Sequence, residues 1–110
     1  MIEDRLEQIQ SAIEGSPKIS DDAKSELLGL IAGLKGEIKT LSETHHEEAS
    51  SITRFADVSA HEAARSRRNP QLADTALDGL RGSIQGLEDS HPTLVETVNR
   101  FATALSNMGL

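Results

Sequence analysis

The residues of this chain best suited to chemistry are its histidines and one arginine cluster. His45, Glu48 and His91 fall on a single helical register with the apolar residues around them. An imidazole and a carboxylate placed together can share a proton, or both can ligate a metal. The plainer role for such a trio is one polar layer that fixes the register of packed helices. Arg65, Arg67 and Arg68 form the one basic patch, with Arg81 as a further member. Guanidinium groups recognise phosphate, nucleic acid or an acidic protein. Cations at the end of a helix are also favoured simply by its dipole, and no aromatic residues interleave here to stack on bases. His61 and Asp57, one helical turn apart, read as a surface pair. No Ser or Thr stands with a His and a carboxylate in a nucleophile pattern. With no Cys, thiolate catalysis and thiolate metal sites are excluded. These residues predict no catalytic site, no cofactor, and no metal site beyond the candidate trio. The chain reads as a protein that is not an enzyme.

The elements that carry these residues are helical. A chain of 110 residues is one domain at most, and two Phe with no Trp or Tyr supply few large core side chains. Such a chain buries aliphatic stripes between helices. Its start, Met1-Ile2-Glu3-Asp4-Arg5, lacks the basic and apolar regions of a signal peptide. No apolar run approaches the ~20 residues of a membrane span, so membrane insertion is not expected and the location is read as cytoplasmic. The formal net charge of −7 opposes binding to nucleic acid or an anionic membrane.

Gly15-Ser16-Pro17, Asn69-Pro70 and Ser90-His91-Pro92 punctuate the sequence. They predict helices over 2–14, 20–68, 71–89 and 92–108, the second with a possible break near 44–46. Ile2, Leu6, Ile9 and Ile13 share one face of the first helix. Ser20 is a predicted N-cap, with Asp21 and Asp22 in the first turn. Leu27, Ile31, Leu34, Ile38 and Leu41 begin a heptad seam that continues through His45, Glu48, Ile52, Phe55, Ser59, Glu62 and Ser66. Unbroken, 20–68 would span roughly 70 Å at about 1.5 Å per residue. A second seam runs Ala73, Leu77, Leu80, Ile84, Leu87, His91, Leu94, Val98, Phe101, Leu105 and Met108, and Gly109-Leu110 reads as a C-terminal stop.

Residues equidistant from Asn69-Pro70 match as antiparallel partners: Ile31 with Met108, Leu34 with Leu105, Ile38 with Phe101, Leu41 with Val98, Ile52 with Leu87, Phe55 with Ile84, and Glu48 with His91. The expectation is an all-α fold: a long, coiled-coil-like antiparallel hairpin with a short N-terminal helix and the character of a three- to four-helix bundle. The first helix would cover the open end near Leu27, Ile31, Leu105 and Met108, or exposed faces would pair between subunits in a homodimer.

Residues 33–56 and 79–102 repeat at an offset of 46. Gly33-Leu34-Lys35-Gly36 matches Gly79-Leu80-Arg81-Gly82; Ile38, Leu41 and His45 match Ile84, Leu87 and His91; Arg54-Phe55-Ala56 matches Arg100-Phe101-Ala102. Thr44-His45-His46-Glu47 resembles a capping box where the copy has Ser90-His91-Pro92. Gly29, Gly33, Gly36, Gly79, Gly82 and Gly86 lie off the seams, and read as a smooth stripe for close helix approach, including approach of a second subunit. The stretch from Leu87 to Leu94 and from Ala104 to Leu110, with its Ser90-His91-Pro92 and terminal Met108-Gly109-Leu110, resembles a small bacterial family, domain-of-unknown-function family 4404. That resemblance covers the last quarter of the chain well and the first helix loosely, departs from the family over Ser42 to Asn69, and implies a helical bacterial protein with no assigned activity. The functional expectation is an interaction or structural protein that self-associates through helix faces and binds an unknown protein partner. The alternative is a ligand- or metal-responsive regulator built on the His45/Glu48/His91 layer.

Overall fold

Two of the helices begin at side-chain caps that the sequence supplies. The computed structural model describes residues 2–108 as five helices: α1 Ile2–Gly15, α2 Asp21–Ser42, α3 His46–Ala64, α4 Pro70–Gly82 and α5 Pro92–Ser106. Ser20 is the N-cap of α2, its hydroxyl accepting from the Ala23 N–H at 3.2 Å, with Asp21 and Asp22 in the first turn. The Asn69 side-chain oxygen accepts from the N–H groups of Gln71 and Leu72, and Pro70 takes the first helical position. Helices α3 and α5 both start on a histidine whose side chain makes no cap bond. Thr44 therefore does not form the expected capping box. The stop expected at Gly109-Leu110 lies outside the described residues.

The long hairpin is not what the chain builds. Helix α2 ends at Ser42, α4 ends at Gly82 rather than 89, and the molecule measures 37 × 23 × 22 Å. The reason lies in Ser42–Glu48, which contains no apolar residue. A helix continued through it would carry α3 away from anything it could pack against. Folding back at Glu43–His45 instead lets Ala49, Ile52 and Ala56 of α3 join the core. The break foreseen near 44–46 is the one that forms.

Hydrogen bonds fix how the helices run. Lys24 donates to the Glu14 carbonyl and Lys35 donates to Gln10, so α1 and α2 are antiparallel. The Ser16 hydroxyl donates to the Ala64 carbonyl while Arg5 pairs with Asp57, so α1 runs parallel to α3. α1 thus lies along α2 and α3, not over the end of a hairpin. α2 packs on α5, and α3 on α4. The register differs from the one centred on Asn69-Pro70. Gly33 lies beside Thr97, whose methyl group is 4.0 Å from where a side chain at Gly33 would begin, and the Phe55 ring lies against Gly79, five residues before the expected Ile84. The first is a slide of about two and a half turns of helix, permitted because α4 and α5 are separate helices joined by Ser83–His91.

All five helices feed one core: Leu6, Ile9 and Ile13 of α1, the α2 seam, the α3 alanines, Leu77 and Leu80 of α4, and Leu94, Val98, Phe101 and Leu105 of α5. The face of α1, which sequence alone left in need of a partner, is covered within the chain. Among the described residues no helix is long and apolar enough to cross a membrane.

Candidate functional site

At one end of the bundle the two histidines meet. His45 and His91 sit at the N-caps of α3 and α5 with nearly the same backbone, φ −133° ψ 63° and φ −137° ψ 61°. His45 Nδ1 shares a hydrogen bond with the Thr44 hydroxyl at 2.7 Å, and His91 Nδ1 with the Ser90 hydroxyl at 2.9 Å. The rings pack edge to face with centroids 5.6 Å apart. The predicted pairing of Glu48 with His91 in the core does not occur. Glu48 is exposed in the first turn of α3, and no ion pair joins it to His91 among the described residues. Glu43 and Glu88 stand three residues before His46 and His91, but both lie in the non-helical breaks, so neither spacing puts two ligands on one helix face. Among the described residues no group of three or more His, Asp or Glu side chains is placed to hold a metal.

At the other end the arginines serve the fold. Arg68 donates to three carbonyls: Ala63 at 3.1 Å, Met108 at 2.8 Å and Lys18 at 3.4 Å. It ties the end of α3 to the end of α5 and to the α1–α2 loop, satisfying carbonyls at two helix ends and in a loop. Arg65 pairs at 2.8 Å with Glu62, a buried carboxylate that needs a cation. Arg81 reaches the Ser106 hydroxyl at 3.5 Å. Arg67 is exposed. The expected basic tip is therefore mostly an internal clamp. Asp57 pairs with Arg5 at 2.9 Å, not with His61. The hydroxyls of Thr40, Thr53, Ser59, Thr75 and Thr97 each donate to a carbonyl four residues earlier, the usual use of a hydroxyl inside a helix.

A broad concave surface lies elsewhere. Helices α2 and α5 frame an open groove of about 920 Å³. Leu30 and Val95 form its apolar floor, half-buried and packed on the core, and Gly29 and Pro92 adjoin them. Ser25, Asn99 and Thr103 add neutral polar groups. Its charged residues are Glu26, Glu88, Glu96 and Arg100. Glu96 and Arg100 pair at 2.8 Å on the surface, and the Glu88 carboxylate accepts from the Gly86 N–H. No atom stands within 4 Å of where a side chain at Gly29 would begin. Leu30 and Val95 belong to neither seam, so the heptad pattern passes over them. Of the stripe glycines, only Gly79 is covered closely, by the Phe55 ring.

No protein-family model, curated protein or solved structure matches this chain.

Proposed function

We propose that this chain is a non-catalytic helical interaction protein whose docking seat is the α2/α5 groove. The observation that carries this reading is the groove itself: an apolar floor along two antiparallel helices, with a glycine where a partner's backbone can come close. A third helix laid into such a groove completes a local three-helix packing, the ordinary helix-in-groove mode of recognition. An acidic, Cys-free chain suits a cytoplasmic binding protein, and the likeness of its C-terminal quarter to family 4404 adds no activity to this reading.

The test is site-specific photo-crosslinking in cells. A photoreactive residue at Asn99 should trap one defined species, the same residue at Asp74 on α4 should not, and Gly29→Leu should abolish the Asn99 product. Equal trapping from both positions, or trapping that survives Gly29→Leu, would count against the groove.

Self-association is the second reading. Phe55, Val58 and Leu72 are the large apolar side chains left exposed among the described residues, and they sit on α3 and α4. Three partly exposed side chains offer on the order of 200 Å² per subunit, against about 800 Å² per partner in a stable interface. Light scattering at rising protein concentration tests it: a dimer that Leu72→Lys dissociates would support this face.

A further inference from the structure

We infer that the occupant of the α2/α5 groove is a basic amphipathic helix of another protein, an inference that rests on the groove being a docking seat at all. Charge decides the partner. Around the apolar floor stand three carboxylates, Glu26, Glu88 and Glu96, against one guanidinium, Arg100, a net of −2. Arg100 is already paired with Glu96 at 2.8 Å, so Glu26 on α2 and Glu88 before α5 present negative charge from both walls. Lys or Arg flanking the apolar stripe of an incoming helix would meet these carboxylates while the stripe covers Leu30 and Val95.

The same charges disfavour the other occupants. A second copy brings another chain of net charge −7 and, in a twofold contact, the same acidic groove. Nucleic acid and anionic lipid meet the same repulsion. Length fits as well: α5 has 15 residues, about 22 Å of helix, so roughly four turns of partner can lie along it.

The experiment uses the full chain and three synthetic 18-residue helices. All carry one identical Leu/Ala stripe and differ only in flanks of Lys, Gln or Glu, with binding read by fluorescence anisotropy at low and at physiological salt. The Lys helix should bind about tenfold more tightly than the Gln helix, the effect of two or three exposed ion pairs of ordinary strength, and the advantage should shrink with salt. The Glu helix should not bind measurably. Gly29→Leu should abolish binding of the Lys helix while leaving the melting temperature no lower, because the new side chain enters open space. Glu26→Lys with Glu88→Gln should erase the preference for Lys flanks. Asp74→Lys with Asp78→Asn on α4 changes net charge by the same amount and should leave the preference intact. If the Lys and Gln helices bind equally and both are blocked by Gly29→Leu, the groove reading stands and the basic partner is overturned. If no helix binds, or Gly29→Leu changes nothing, the groove reading falls. If the α4 variant erases the preference as fully as the groove variant, general attraction to an acidic protein accounts for it and the inference is overturned.

Discussion

The two halves of the internal repeat agree at their histidines and disagree on either side of them. His45 and His91 share backbone angles, share a hydroxyl partner at the preceding residue and touch ring to ring. Ile38 and Leu41 in the first copy, like Ile84 and Leu87 in the second, are all buried. Yet α2 runs on to Ser42, whereas α4 stops at Gly82. Two substitutions between the copies account for this. Where the first has Glu37 and Thr40, the second has Ser83 and Gly86. The Ser83 hydroxyl donates back to the Leu80 carbonyl at 2.6 Å, and Gly86 adopts a φ of 89°, outside the helix. The aromatic residues diverge too. Phe101 is fully buried, but its counterpart Phe55 is 39% exposed and lies over Gly79. Helix α3 is packed against α1, α2 and α4 and meets them with Ala49, Ala56, Ala60 and Ala63, leaving no inward room for a ring. A repeat thus conveys a turn and a burial pattern, while single residues set helix length and each neighbour's size sets the fate of a side chain.

The sharpest way to break this comparison is to truncate both rings. Phe101→Ala should cost about 3–5 kcal/mol in a urea melt, as buried aromatics do, and Phe55→Ala about 1 kcal/mol; similar losses would mean the two helices are equally buried. Next come the equivalent glycines. Gly33→Ala should stabilise by up to about 1 kcal/mol from helix propensity. Gly79→Ala should be about neutral, because the half-exposed Phe55 ring must swing aside and its lost contacts offset that gain. In a Phe55→Ala background the full gain should return at Gly79. A third test concerns helix length. Gly86→Ala should cost about 1 kcal/mol for an L-residue at positive φ, and Thr40→Ala in the first copy should be neutral or slightly stabilising. The smallest effect belongs to the histidine contact: a double-mutant cycle on His45→Ala and His91→Ala should give a coupling of about 0.5 kcal/mol, at the low end for ring pairs because the site is open to water.

Much of this architecture was legible beforehand, and the failures have identifiable causes. The all-α class, the α1 stripe and the Ser20 cap followed from spacing and cap chemistry, which are local. Cations at the end of α3 are legible in sequence, and Arg68 meets the Ala63 carbonyl there, but its bonds to the carbonyls of Met108 and Lys18 depend on residues far away in the chain. The expected register does not form because the breaks at Glu43–His45 and Ser83–His91 free each helix pair to settle at its own offset, nine residues away at Gly33 and five at Phe55. The core role of the α3 alanines is not legible in a heptad pattern of large side chains, because it follows from α3 having neighbours on several sides, where small residues fit. The groove is not legible from the seams, because Leu30 and Val95 lie off both of them and their proximity depends on how α2 packs on α5.

Amide chemical-shift mapping of the full chain during titration with the Lys-flanked helix locates the docking seat. The largest changes should fall on Gly29, Leu30, Val95 and Asn99, along both walls of the α2/α5 groove. Changes centred on Phe55, Val58 and Leu72, or spread over all five helices alike, would contradict that location.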